Sequence, residues 1–418
     1  MNSFAHMADV HLGAHREPAL QKLEREAFEL ALSRCVDEGV DFLLVSGDLF
    51  HVGIPDLAVV NSALRKMMEL RDAGIPIYAI YGSHDYTPTG TSVIDILDTA
   101  GVLTNVSKMR LEGGKVRLGF VEDEKTGAKL AGISARKVGL ESRYYELLDR
   151  APLEAEEGFK VFAFHSGITQ FKPPQLSEME TVDLSLLPRG FDYYAGGHIH
   201  RRGEFSLEGY SRVVFPGPLF TGYGRDVEDT AKGERRGLYL VRFDGEVREA
   251  SFVPVEVAGG AFDELDVSGM NSSDANRKVA AAFGGRDVAG RLVAFKVYGE
   301  LAGGRASDLE LAKLKARLMD AGAVHVYLNR AGVSTRETAG GAVAHEDPAT
   351  IERALFEREA PKVKVAEPRL AGARGVETAA ELLKALRQGQ KTSEGKKDYE
   401  ARMIRDGSAT LGMEEGRT

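Results

Sequence analysis

The chain has 418 residues, a formal net charge of -9, 28% charged residues and one cysteine. That length exceeds one ordinary domain of roughly 100–200 residues, so two or three folded units are expected, and the composition excludes a wholly disordered chain. The lone Cys35 excludes an intramolecular disulfide and a cysteine zinc site, while the acidic balance argues against a uniformly basic nucleic-acid binder and leaves local patches open.

In chain order, Phe4–Ala8 reads as a short apolar strand, with His6 inside it in a core or supporting role. Leu20–Val36 has helical spacing, and Cys35 falls in its apolar stripe with Phe28, Leu32 and Val36. A second strand is expected at Phe42–Val45, a helix at Leu57–Leu70 and a third strand at Ile77–Tyr81. This βαβαβ pattern implies a parallel sheet. Later strands at Val161–Phe164, Tyr193–Ala195, Val213–Phe215 and Gly237–Phe243 have few helices between them and suggest a second sheet.

From about residue 256 to 335 a smaller α/β unit is expected. It has helices near Ser273–Phe283 and Asp308–Met319 and strands near Leu292–Tyr298 and Val324–Leu328. The Ala/Gly-rich stretch Thr338–Val343 reads as part of a linker over 336–369. The tail, 370–418, carries two short helical patterns, one with Leu382, Leu383 and Leu386, the other with Tyr399, Met403 and Ile404; Gln388–Lys397 between them is polar and turn-like. Helices that short need something to dock on. There is no signal peptide and no apolar run long enough to span a bilayer, which predicts a soluble, cytoplasmic protein.

The histidines and aspartates carry the chemistry. Asp9 and His11 follow the first strand, Asp48 and His51 the second, and His84 and Asp85 the third. His165 ends the fourth, and His198 and His200 end the fifth. The carboxyl ends of strands are where open α/β sheets bind ligands. Gly47, Gly82 and Gly197 precede several of these groups and allow close backbone approach. In Asp9-Val10-His11 and His198-Ile199-His200 an extended backbone would point the outer residues the same way. Imidazole and carboxylate without thiolate suit Mn, Fe or Zn better than Mg or Ca. A carboxylate such as Asp48 can bridge two ions, and two ions about 3.5–4 Å apart would clamp an in-line displacement at phosphorus. Any one piece has a plain reading as a loop, a cap or a structural histidine, but five correctly ordered pieces at strand ends are hard to obtain by chance. His15, His325 and His345 have no partner motif and are expected to face solvent.

These residues resemble the calcineurin-like metallophosphoesterases. The match runs through Asp9-Val-His11, Gly47-Asp48, Gly82-Ser83-His84-Asp85, His165 and Gly197-His198-Ile199-His200. Three further runs are similar to the Mre-eleven/SbcD nucleases, particularly the archaeal branch: Ala8–Gly13, Gly47–His51 and Phe191–Tyr194. Phe215-Pro216-Gly217-Pro218 resembles that family's Pro-Gly-Ser turn.

The resemblance implies an α/β fold: a two-sheet sandwich flanked by helices over residues 1–255, a small α/β capping domain at 256–335 and a helical tail. It implies two divalent metal ions, manganese by preference. One would be held by Asp9, His11, Asp48 and His200, the other by Asp48, Ser83, His165 and His198. His84, oriented by Asp85, would stabilise the transition state or protonate the leaving oxygen, and His51 would help position the phosphate backbone. Ser83 departs from the family's usual Asn, a shorter and poorer ligand that puts the second site's affinity in question.

By the same resemblance the chain would be a DNA nuclease with 3′-to-5′ exonuclease and single-strand endonuclease activity. It would act as a homodimer with a Rad-fifty/SbcC-type ABC ATPase. The tail residues Leu382, Leu383, Leu386, Tyr399, Met403 and Ile404 would supply the apolar ATPase contacts. Arg201 and Arg202, beside the last histidine pair, are candidates for phosphate, whereas Lys313, Lys315 and Arg317 in the capping helix read more simply as a solvated face. Two alternatives are a phosphodiesterase or phosphatase for small substrates, which the acidic charge favours, and a DNA-tethering scaffold with a site weakened at Ser83.

Overall fold

A computed structural model describes all residues except 88–89, 136–139, 173–179, 336–347, 361–369, 371, 390, 392–393, 395 and 413–418. The expected linker stretch Thr338–Val343 and His345 therefore lie outside the described residues. The chain divides into two compact units, Met1–Ser334 and Thr335–Thr418. The segments expected as 1–255 and 256–335 both fall essentially in the first.

The first unit opens with β1 (Asn2–Met7), α1 (Pro18–Asp37), β2 (Phe42–Ser46), α2 (Leu57–Asp72), β3 (Ile77–Ile80), α3 (Val93–Thr99) and β4 (Thr104–Asn105). Pro18 opens α1, where its missing N–H costs nothing. The helix buries Leu20, Leu23, Ala27, Phe28, Ala31, Leu32 and Cys35 at three- and four-residue spacing. Asp56 caps α2 by accepting the Ala58 N–H at 2.7 Å.

The chain continues through the hairpin β5 (Lys108–Glu112) and β6 (Lys115–Gly119), then β7 (Val121–Glu122), β8 (Lys129–Ile133), α4 (Leu140–Glu146) and α5 (Ala151–Ala155). After them come β9 (Lys160–His165), β10 (Gly167–Ile168), β11 (Thr181–Val182), β12 (Tyr193–Gly197), β13 (Gly203–Leu207) and β14 (Tyr210–Phe215). Next are α6 (Gly224–Ala231), β15 (Gly237–Phe243) and β16 (Val247–Pro254). Nothing between residues 104 and 133 was expected as a strand. These strands are short and their turns glycine-rich, so no periodicity accumulates.

Two six-stranded sheets result, in the orders β16-β15-β1-β2-β3-β4 and β13-β14-β12-β9-β8-β7. Their centres, β1-β2-β3 and β8-β9-β12-β14, are parallel. The sheets stack on a shared core holding Phe4, Phe42 and Leu44 from one and Val161, Tyr193 and Ala195 from the other. Phe4 meets Tyr193 edge-on, with ring centroids 5.2 Å apart. Both faces of each central strand are covered, which is why these strands read as unbroken apolar runs. The consequence for function is that the carboxyl ends of β1, β2, β3, β9 and β12 are held against one another.

The remainder of the first unit is a three-stranded sheet, ordered β17 (Gly259–Asp266), β18 (Arg291–Leu301), β19 (His325–Thr335), with α7 (Ser272–Ala281) and α8 (Leu311–Asp320). α8 buries Leu311, Leu314 and Leu318. Its Arg317 donates to the carbonyls of Ala280 and Ala282, at 2.7 and 2.5 Å, and so caps α7. Arg317 is thus engaged within the fold.

The second unit has three described helices, α9 (Pro348–Glu359), α10 (Gly372–Leu386) and α11 (Lys396–Leu411). α9 lies inside the stretch 336–369 expected as a linker, whose residues 336–347 and 361–369 are outside the described residues; Pro348 is its first residue. Leu382 and Leu386 come within van der Waals reach of the Gly407 position on α11. Arg402 pairs with Glu394 at 2.7 Å and Arg387 with Glu352 at 2.9 Å. Of the six apolar tail residues, Leu382, Leu383, Tyr399 and Met403 are half-buried within this unit, while Leu386 and Ile404 stand 49% and 70% exposed. Among the described residues, no helix is long and apolar enough to cross a membrane.

Candidate metal centre

The strand ends present their polar side chains through strained backbone. Asp9 and His11 (φ 51°), Asp48 (φ 52°) and His198 (φ 82°) all lie in the left-handed region, which costs a non-glycine residue on the order of 1–3 kcal/mol. The extended backbone expected for Asp9-Val10-His11 is therefore corrected: the chain twists left-handed at both outer residues. Neighbouring strand ends hold it there. The N–H of Asp9 donates to the Gly47 carbonyl at 3.1 Å and that of His11 to the Asp48 carbonyl at 2.9 Å.

The carboxylates are aimed by backbone donors. The His198 N–H donates to Asp9 Oδ1 at 2.9 Å, and the His84 N–H to Asp48 Oδ1 at 2.8 Å. The glycines allow this approach. A Cβ on Gly82 would fall on the Asp48 carboxylate, and one on Gly197 on the Ser46 carbonyl and the His165 ring.

Ligand-competent atoms converge between the sheets. Nε2 of His165 lies 3.2 Å from Asp48 Oδ2 and 3.8 Å from Asp9 Oδ1. Nε2 of His11 lies 3.6 Å from Asp48 Oδ2, and that of His200 3.8 Å from Asp9 Oδ1. Three compact groups could each hold a cation: Asp9, His11 and His200; Asp9, Asp48 and His165; and His11, His51 and His84. His198 sits beside them, its ring 5.3 Å from that of His165. Ser83 is half-buried on the same turn, between Gly82 and His84.

The distal nitrogens show how the rings are set. Nδ1 of His165 donates to the Ser46 carbonyl at 2.8 Å, and Nδ1 of His200 donates to Asp226 at 2.9 Å. Both leave Nε2 as the free lone pair. The buried Nε2 of His165 has no hydrogen-bond partner, and Nε2 of His200 faces Nε2 of His11 at 3.0 Å. Facing lone pairs repel unless a proton or metal ion lies between them. The residues therefore fit a divalent cation by donor chemistry and by an orphaned ligand atom.

In the ion-free chain the two carboxylates draw a proton to the position a cation would take: burial works against a charged His165, but Asp48 and Asp9 outweigh it and raise its pKa to about 10. Burial raises the Asp9 carboxyl against the pull of His165 and His200. For Asp48 burial is outweighed by His165 and His11, which hold it well below the carboxylate range. Burial, then the neighbouring His165, pushes His198 down to about 4.

Asp85 does not orient His84. Its carboxylate accepts the N–H groups of Phe50 and Gly82, each at 2.9 Å, and of Leu49 at 3.2 Å, pinning the loops after β2 and β3 together. His84 is oriented instead by the His51 carbonyl, 2.6 Å from Nδ1. His51 stacks on the His84 ring and lies 3.3 Å from His11 through Nδ1.

His6 is buried, with Nδ1 3.0 Å from the Tyr193 hydroxyl, in the core as expected. His15 is half-buried and lies 2.5 Å from the Thr221 carbonyl, correcting its expected exposure; His325 is half-buried too. Arg201 and Arg202 are exposed, and Arg202 lies over the Phe252 ring at 4.3 Å.

Three residues at the site had no signal in the sequence. Asp226, on α6, accepts from His200 and from the N–H groups of Gly222 and Tyr223. Arg236 is buried and donates to the carbonyls of Asp226 (3.0 Å) and His200 (3.3 Å). The Tyr223 hydroxyl lies 2.7 Å from Nε2 of His84. They follow the Phe215–Pro218 turn, and only the fold brings that segment back to the histidines.

Histidines and aspartates are thus gathered at parallel strand ends between two stacked sheets, in groups able to hold divalent cations. Residues 3–202 match the family model of the calcineurin-like phosphoesterases. The chain is also similar to archaeal repair proteins. It is 25% identical to the DNA double-strand break repair protein Mre11 of Archaeoglobus fulgidus, over 70% of this chain and 67% of that one. It is 29% identical to Mre11 of Methanococcus maripaludis, over 61% and 66%. The aligned part thus spans about two thirds of these relatives' length. Among solved structures, a dimetal phosphatase from Danio rerio aligns over 61% of this chain and 99% of its own, with a TM-score of 0.40 and 11% identity.

Proposed function

We propose that this chain is a metal-dependent DNA nuclease of the double-strand-break repair type, with 3′-to-5′ exonuclease and single-strand endonuclease activity. It would act as a homodimer with a Rad-fifty/SbcC-type ATPase partner. The observation that carries the reading is the buried, unpartnered Nε2 of His165 facing Asp48 and Asp9. The similarity to archaeal Mre11 proteins supports DNA as the substrate.

Asp9, His11, Asp48 and His200 would hold one divalent ion and Asp48, Ser83, His165 and His198 the other, with manganese preferred for this nitrogen and oxygen donor set. Bound there, the ions would polarise a phosphoryl oxygen and acidify a water. The chain's own residues do the rest. Asp226 and the Ser46 carbonyl fix the tautomers of His200 and His165. The His51 carbonyl holds one proton of His84 on Nδ1; a second, taken up from solvent at Nε2, would pass to the leaving oxygen. Exposed Arg201 and Arg202 are placed to meet the phosphate backbone beside the final histidines.

The test is degradation of linear duplex DNA with Mn2+, alongside Asp48→Ala. Mn2+-dependent loss of DNA by the native chain, absent in the variant, is expected. Equal degradation by both, or none by the native chain under conditions where it hydrolyses a small phosphodiester, would reject DNA cleavage at this site.

A further inference from the structure

Both ring nitrogens of His84 are occupied in the free protein. Nδ1 is bonded to the His51 carbonyl at 2.6 Å and Nε2 to the Tyr223 hydroxyl at 2.7 Å. An imidazole nitrogen has one in-plane direction for a hydrogen bond. His84 therefore cannot meet a substrate oxygen until Tyr223 lets go.

Tyr223 is built into the site. Its ring centroid lies 5.3–5.7 Å from those of His200, His51 and His11, yet it is 44% exposed. Asp226 accepts its backbone N–H at 2.9 Å, at the start of α6. That helix is pinned to the three-stranded sheet by Glu228, which accepts from Asn329 at 2.7 Å, and by Lys232 over the Phe262 ring.

We propose that Tyr223 is a catalytic residue of this centre. Its hydroxyl donates to Nε2 of His84 until a phosphodiester binds, then transfers that hydrogen bond to a non-bridging phosphoryl oxygen; the freed Nε2 takes up a proton from solvent and hands it to the leaving oxygen, which returns the ring to its neutral form. One hydrogen bond replaces another, so the exchange itself costs little. A phenol, with an ordinary pKa of about 10, is a donor at neutral pH. The inference rests on the hydrolase reading above.

The test compares Tyr223→Phe with the native chain on thymidine 5′-p-nitrophenyl phosphate at saturating Mn2+. The p-nitrophenolate leaves without a proton, so proton delivery by His84 does not limit hydrolysis of this ester. Tyr223→Phe should lower kcat about tenfold, with KM within about twofold and Mn2+ binding unchanged, because the phosphoryl contact is lost. If Tyr223→Phe leaves kcat intact, or only lowers KM, the hydroxyl is a plug or a support for His84 and the proposal is overturned.

A second readout needs no turnover. In ring-15N histidine-labelled protein with Mg2+, the His84 Nε2 signal should move in Tyr223→Phe. Inorganic phosphate should move it the same way in the native chain. If phosphate leaves that signal in place, the exchange does not occur. A native chain inert toward the ester removes the hydrolase reading, and the phosphate titration then decides the exchange by itself.

Discussion

The imidazole of His200 hangs between two partners: Nδ1 donates to Asp226 at 2.9 Å, and Nε2 lies 3.0 Å from Nε2 of His11. Asp226 thus decides which nitrogen of His200 is available to a cation, although it stands 26 residues away in sequence. Carboxylates in that position typically contribute 10–100-fold in metal affinity. Asp226→Asn should therefore weaken Mn2+ binding about 10–100-fold, measured calorimetrically, with little change in the far-ultraviolet circular dichroism. Unchanged affinity would show that the Asp226 contact is structural only.

His84 touches the centre through its backbone N–H, which donates to Asp48, while its ring points to Tyr223 and His51. A ring substitution should spare the ions. We expect His84→Gln to retain Mn2+ stoichiometry and to lose about 10²–10⁴-fold in kcat on DNA, the range for a positioned acid or base. Full activity in that variant would remove His84 from the chemistry.

Glu24 supplies a pH dependence away from the ligands. It is 5% exposed on α1, and its carboxylate accepts the N–H groups of Gly13 (2.5 Å) and Ala14 (3.1 Å) in the loop after His11. Burial raises its pKa to about 7 from 4.5 and outweighs those hydrogen bonds. The folded state thus holds the proton more tightly than the unfolded one. Its contribution to stability is fully present below pH 4.5 and is lost as pH rises through 7, a change of roughly 3 kcal/mol. Glu24→Gln should accordingly gain stability relative to the native chain between pH 5 and pH 8, read from urea midpoints. A difference that stays constant with pH would contradict this.

The tail can be tested at the boundary between the two units. Met1–Ser334 forms its own unit, so removing residues 335–418 should leave Mn2+ binding unchanged and abolish co-purification with an ABC ATPase partner. Because Leu382 and Leu386 pack toward α11, the exposed Ile404 is the better single target. Ile404→Glu should weaken that association by at least about tenfold, and undiminished pull-down would reject this face as the contact.

The sequence alone determined the order of strands and helices around the centre and the identity of most groups in it. The reason is local. Apolar runs buried on both faces are unbroken, and each ends in a polar side chain, several of them after a glycine, as at Gly47-Asp48 and Gly197-His198. Only the tertiary structure decided how those groups are aimed. Asp9 and His11 reach inward by left-handed backbone rather than by extension. Asp85 serves backbone N–H groups rather than His84. Asp226, Arg236 and Tyr223 enter because α6 folds back across the strand ends. A side chain's direction and its hydrogen-bond partner depend on which distant segment lies opposite, and no spacing along a chain encodes that.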